Sequence, residues 1–163
     1  MTSSERDNPG VIAPPPLIPL GALVFGLLLD WLLPAYLLTV LLSFTARMVI
    51  GTVFVGAGLA LLVAAAGIFR RAGTNIPPWK PALALATHGI YGHLRNPMYV
   101  GFGLVTAGLA IAFASDWTLV LMIPAALVLH YGVVLREERY LERKFGDDYR
   151  RYCSETPRYG MPV

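Results

Sequence analysis

The chain reads as four long apolar runs separated by short polar ones. The first covers residues 17–33, holds one acid, Asp30, near its end, and is closed by Pro34. The second, residues 48–69, carries no charge and is rich in small residues at Gly51, Gly56, Gly58 and Ala64-Ala65-Ala66. The third, residues 98–114, has glycines at 101, 103 and 108, and the fourth, residues 117–135, contains Pro124 and His130. At about 1.5 Å rise per residue a membrane span needs about 20 residues, so these runs predict four transmembrane helices. Small residues let such helices approach closely. Only Ser115 and Asp116 part the third and fourth runs, which predicts a tight antiparallel hairpin. Residues 34–47 are apolar but short, and fit either an interfacial segment or a partial fifth span.

Composition agrees with the pattern. Hydrophobic residues make up 56% and charged residues 14%, against about 25% charged in a soluble domain, and mean hydropathy is +0.59. A disordered chain is excluded, and the composition argues against a small soluble enzyme, because a small globule has too much surface for this much apolar material. The length of 163 residues fits one domain. A polar, proline-rich segment at 1–16 precedes a single membrane domain at 17–163. The start lacks the basic region and small-residue cleavage site of a signal peptide, so the first run is expected to be a retained helix.

Net charge is +3, but the basic residues sit at the ends of apolar runs, a membrane pattern and not one for nucleic acid. Residues 70–97 carry Arg70, Arg71, Lys80 and Arg95 and no acid. Residues 136–163 carry Arg136, Arg139, Arg143, Lys144, Arg150, Arg151 and Arg158. Basic loops stay cytoplasmic, so the loop, the tail and, with four spans, the N-terminus are all expected there. The hairpin brings the loop and the tail to one side independently of charge. The expected fold is therefore an all-α, polytopic integral membrane protein with a cytoplasmic C-terminal cap, in a bacterial inner membrane.

Polar chemistry concentrates in three places. Gly73, Pro77, Pro78 and Pro81 keep the 69–81 loop from continuing as helix. The stretch Thr87-His88-Gly89-Ile90-Tyr91-Gly92-His93-Leu94-Arg95-Asn96-Pro97-Met98-Tyr99 is dense in hydrogen-bonding groups. There Arg95 stands before a helix N-terminus, which makes a good carboxylate site. His88 and His93 have no carboxylate pair or thiol beside them, so no metal centre is expected, and the lone Cys153 precludes an intrachain disulfide. In the third place, Glu137 and Glu138 stand at the end of an apolar run, just after Arg136, where an acid is costly unless partnered and so marks function. Glu137, Leu141 and Lys144 share one helix face, and Gly146 is a plausible stop.

Together these motifs resemble a known membrane pattern. Arg95-Asn96-Pro97-Met98-Tyr99-Val100-Gly101, one helical hairpin ahead of Glu137-Glu138-Arg139-Tyr140-Leu141, is similar to the Arg-His-Pro-x-Tyr-x-Gly and Glu-Glu-x-x-Leu motifs of the isoprenylcysteine carboxyl methyltransferase family. More loosely it resembles the phospholipid methyltransferases. Gly89-Ile90-Tyr91, Phe145-Gly146-Asp147-Asp148-Tyr149 and Arg71-Ala72-Gly73-Thr74 match as well, so the resemblance covers residues 69–157.

The resemblance implies an S-adenosylmethionine pocket closed by the tail. It implies contacts from the backbone near Leu85 and Ala86, from Tyr91, from Asn96, Pro97, Met98 and Tyr99, and from Glu137. Glu137 suits the cofactor's ammonium or ribose hydroxyls, Arg95 its carboxylate, and tyrosine faces its sulfonium. The implied reaction is methyl transfer to a membrane-embedded acceptor, either an isoprenylcysteine-like carboxylate or a lipid. Arg95, Glu138 and His88 are the candidate catalytic residues; an amine acceptor would need a base, for which His88, His93 or Glu138 are candidates. Two departures stand out. The family's histidine after the arginine is Asn96 here, which cannot carry a proton. The arginine that eukaryotic members place one turn before the first glutamate is Val133, with His130 a turn earlier. A non-catalytic membrane scaffold is the alternative reading. A transporter lacks the expected repeats and paired mid-membrane polar residues.

Overall fold

The computed structural model describes residues 7–160, and among these it is all-helical. Helix α1 (Leu17–Leu32) ends just before Pro34, whose ring disfavours a helical residue ahead of it. Tyr36, at φ 62°, turns the chain into the five-residue α2 (Leu37–Leu41). Helix α3 (Phe44–Arg71) follows, α4 is Pro97–Ala112 and α5 is Asp116–Leu129. A wider, π-type turn at His130–Val134 carries α5 without a break into α6 (Leu135–Phe145). Gly146, at φ 55°, stops that helix and leads into α7 (Asp147–Glu155).

The boundaries depart from the sequence reading in two places, each for a local reason. Helix α3 starts at Phe44, not 48, because the Ser43 hydroxyl accepts the Ala46 N–H at 3.2 Å and caps the extra turn. Residues 34–47 are therefore a turn, α2 and the opening of α3. The helix formed by the last apolar run does not end at 135 but continues through a charged stretch to Phe145. Two helical stretches, Phe44–Arg71 with 28 residues and Asp116–Phe145 with 30, are long and apolar enough to cross a membrane. Leu17–Leu32 and Pro97–Ala112 are apolar but shorter, at 16 residues each.

Helices α3 and α4 form the most extensive helix pair, and glycines set its spacing. A Cβ built on Gly51 would lie 2.7 Å from the Gly108 carbonyl oxygen, and one on Gly58 would lie 2.7 Å from that of Gly101. The backbones touch at both points, as small residues allow in an apolar medium. Helix α1 packs on α5, where Gly26 faces Thr118. The end of that pair holds a satisfied polar cluster. Asp30 accepts from the Ser115 hydroxyl and from the Trp117 N–H, and Asp116 accepts the Leu37 and Leu38 N–H groups at 2.7 and 3.0 Å. The one acid inside the first apolar run is thus partnered.

Residues 7–14 run back along the α5–α6 line as a strap. The Ile12 N–H donates to the Gly132 carbonyl at 3.3 Å. The Ile12 side chain fills the space that a Cβ on Gly132 would need. Arg136 donates to the Gly10 carbonyl at 2.9 Å.

Candidate active site

The 72–96 loop folds on itself before it meets the tail. Gly73, at φ 65°, ends the helical path of α3. Thr74 then accepts the N–H groups of Leu83 and Ala84 at 2.9 and 3.3 Å, and the Asn75 amide donates to the Pro81 carbonyl at 2.9 Å. The Ala82 N–H is held at 3.0 Å by the Tyr140 hydroxyl. The N–H groups of Leu85 and Ala86, next along this extended stretch, have no hydrogen-bond partner among the described residues.

A single-turn 3₁₀ helix at Gly89–Gly92 buries Tyr91 and stacks its ring on Phe69, with centroids 5.0 Å apart. Ala65, Ala86 and Tyr91 form a small core with Phe69 and Met98 packed against it. The tail closes over this turn. The Tyr152 hydroxyl donates to the Tyr91 carbonyl at 2.6 Å, the Arg95 N–H donates to the Pro157 carbonyl at 2.9 Å, and the Asn96 side chain reaches the Arg158 carbonyl at 3.3 Å. The meeting of loop and tail expected from the hairpin is present.

Between them lies a cavity enclosing about 880 Å³ of empty space, its open mouth included. Leu85, Ala86, Tyr91, Arg95, Asn96, Pro97, Met98, Tyr99, Glu137 and Glu138 all line it. His88 does not: it is exposed, as is His93, and neither faces the cavity. The sequence reading missed several parts of the wall. Tyr140, Tyr149 and Tyr152 line it, and so do Pro9 from the strap and Lys80 from the loop. Tyr149 and Tyr152 lie three residues apart in a polar tail, a face signal that was open to reading. Burial pushes the phenols of Tyr91, Tyr149 and Tyr152 up, so all three are neutral at physiological pH.

The two adjacent acids have opposite surroundings. Glu138 is clamped: Arg158 holds it with two hydrogen bonds at 2.8 and 2.7 Å, and an Arg95 nitrogen stands 3.5 Å away. Arg95 also donates to the Cys153 sulfur, while its Nε is buried with no partner among the described residues. Glu137 has no cationic partner among the described residues. Its carboxylate meets only the Tyr99 hydroxyl, 2.7 Å from both oxygens. Burial and, more weakly, the Glu138 charge raise Glu137 to about 7, against the pull of the Tyr99 hydrogen bond. This acid lies past the apolar stretch that ends at Leu135. Val133 is fully buried within the π-type turn and is not part of the cavity wall.

A helical membrane protein with a tail-closed, tyrosine-lined cavity and an unpaired acid is the class these features define. Residues 46–148 match the sequence model described as phospholipid methyltransferase, and the chain belongs to that family of methyltransferases. It is also 32% identical over 79 residues to a protein-S-isoprenylcysteine O-methyltransferase of Schizosaccharomyces pombe, a match covering 48% of this chain and 33% of the yeast protein. An uncharacterized protein of Haemophilus influenzae is 34% identical over 62 residues, covering 38% of this chain and 98% of that protein. The chain thus spans about a third of the length of the yeast relative. No solved structure matches it.

Proposed function

We propose that this protein is a multi-pass membrane methyltransferase that uses S-adenosylmethionine and acts on an amphiphile drawn from the bilayer. The observation that carries the reading is Glu137, a half-buried carboxylate with no cationic partner among the described residues, on the wall of a cavity shared with Arg95. When bound, the cofactor supplies an electrophilic methyl group on a sulfonium. The donor set fits it. Glu137 offers the missing negative charge to the cofactor's ammonium or ribose hydroxyls, and the unpartnered Nε of Arg95 is available to its carboxylate. The free N–H groups of Leu85 and Ala86 suit polar atoms of the adenosine, and the faces of Tyr91 and Tyr99 suit a cation.

The residues mainly position and exclude water. The tail seals the cavity through Tyr152, Pro157 and Arg158, and Glu138 holds Arg158 in place. A carboxylate acceptor needs no base. For an amine acceptor, His88, which is exposed and lies off the cavity, is not placed to act as the base. Four spans, for which the four apolar runs speak, belong to this reading, as do a site and both termini on the cytoplasmic side, which the eleven Lys and Arg of the loop and tail, out of 13 in the chain, support.

The test is purified protein in detergent, methyl-labelled S-adenosylmethionine and a total lipid extract. Label on one lipid class is expected. No calorimetric binding of the cofactor and no labelled product would leave the scaffold reading in its place.

A further inference from the structure

We infer that the N-terminal strap is a working part of the site, and that Asp7 and Tyr140 are positioning residues for the 82–86 stretch of the cavity wall. The inference rests on the cofactor reading for its binding measurement only. Three elements converge on the Tyr140 hydroxyl. It donates to Asp7 Oδ1 at 2.7 Å, accepts the Ala82 N–H at 3.0 Å, and accepts from Lys144 Nζ at 3.0 Å. Lys144 in turn pairs with both oxygens of Asp7, at 2.8 and 2.7 Å.

The direction of each bond matters. A phenol has one proton. With that proton committed to the Asp7 carboxylate, its lone pairs face Ala82 and Lys144. Without Asp7, the hydroxyl is free to rotate its proton toward the amide it now holds, and the bond to Ala82 loses its fixed geometry. After Ala82 come Leu83 and Ala84, held by Thr74, and then Leu85 and Ala86, which line the cavity, so the tether at 82 helps to set where the N–H groups of those two residues stand. The strap also reaches the cavity itself, since Pro9, two residues beyond Asp7, is part of the wall. Two further fastenings hold the strap in register, Ile12 on Gly132 and Gly10 on Arg136. It is therefore a fixed wall and not a loose tail.

The experiment compares wild type, Asp7→Ala, Asp7→Glu and Tyr140→Phe in detergent. Two readouts are taken: calorimetric affinity for S-adenosylmethionine, and amide hydrogen exchange of the hydrogen-bonded amides 82–84 against that of α3 and α4. Asp7→Ala and Tyr140→Phe should each weaken binding, roughly tenfold for the phenylalanine variant. Exchange at 82–84 should speed up with the helix pair unchanged, and Asp7→Glu should restore both. A general structural role would speed exchange in α3 and α4 as well. If Tyr140→Phe fails to fold, Asp7→Ala decides, since the Asp7 side chain is 57% exposed and little packing goes with it. Wild-type affinity and exchange in Asp7→Ala would overturn the inference. Absence of binding to the wild type would overturn the cofactor reading instead, and the exchange comparison would still decide the role of Asp7.

Discussion

The Tyr99 hydroxyl stands 2.7 Å from both carboxylate oxygens of Glu137, one proton shared between two acceptors. Tyr99 lies in the first turn of α4 and Glu137 in the first turn of α6. The pair therefore joins the start of α4, one arm of the hairpin, to α6, which continues the other arm, on the wall of the cavity. A neutral phenol compensates a buried carboxylate only in part, which leaves this acid ready for a cationic or hydroxylic ligand.

Replacing Glu137 tests that directly. Glu137→Gln removes the charge and keeps the shape, so S-adenosylmethionine binding should weaken by about 1.5–3 kcal/mol, the range for a charge-assisted hydrogen bond. Calorimetry on the two proteins measures it, and equal affinities would remove Glu137 from the site.

The same residue sets a pH dependence. Its folded-state value of about 7 lies above that of an unfolded glutamate. Between those two values the folded protein holds a proton that the unfolded chain has released. Stability without ligand should therefore fall as pH rises through that window. A cationic ligand favours the ionised form, so cofactor affinity should rise over the same window and level off above it. Thermal unfolding and calorimetry from about pH 5.5 to about pH 8 would show both slopes. Both should flatten in Glu137→Gln, and a slope that survives the substitution belongs to another group.

The helix crossing gives a third expectation. Gly58→Val should drive its side chain into the Gly101 backbone and destabilise the protein by about 2 kcal/mol or more. Gly56→Val, two residues away and facing open space, should change stability by less than about 0.5 kcal/mol in detergent. Similar melting temperatures for the two variants would show that the α3–α4 contact tolerates separation.

These glycines also show how far the sequence can be read. Six of them marked two slim helices, but the pattern could not say which faced inward. The structure selects Gly51, Gly58, Gly101 and Gly108 and leaves Gly56 and Gly103 in open space, because the crossing sets the face. The cavity wall was legible where a motif carried it: Arg95 to Tyr99 and the Glu137-Glu138 pair come together. His88 was a different matter, since hydrogen-bonding capacity does not fix direction, and Gly89, at φ 61°, turns the chain just after it. The strap was not legible. Asp7, Pro9 and Ile12 form no local pattern, and their role depends on partners more than 100 residues away in Gly132, Tyr140 and Lys144.

The tail latch makes a fourth prediction. Arg158 grips Glu138 through two parallel bonds, a geometry that lysine cannot reproduce. Arg158→Ala should loosen the tail, speed cofactor release and expose residues after Glu155 to protease. Arg158→Lys should restore part of the effect. The contribution is about 1 kcal/mol, since the arginine side chain is 35% exposed and solvent screens the pair. Unchanged release rates in the alanine variant would mean that Tyr152 and the Pro157 carbonyl hold the tail without it.

The last prediction concerns the acceptor. In the eukaryotic isoprenylcysteine methyltransferases that the motifs resemble, an arginine one turn before the first glutamate suits a substrate carboxylate; here Val133 stands there, fully buried. A carboxylate brought to that place without a cation would lose its hydration uncompensated. Arg136, three residues on, is engaged elsewhere, donating to the Gly10 carbonyl from an exposed position. Arg95, which lines the cavity, already faces Glu138. The protein should therefore methylate a phospholipid or similar amphiphile faster than a prenylcysteine. The assay offers N-acetyl-farnesylcysteine and mixed phospholipids to the same purified protein. Turnover of the prenylcysteine as fast as of any lipid, and lost in Arg136→Ala, would reverse the preference and give the carboxylate to Arg136.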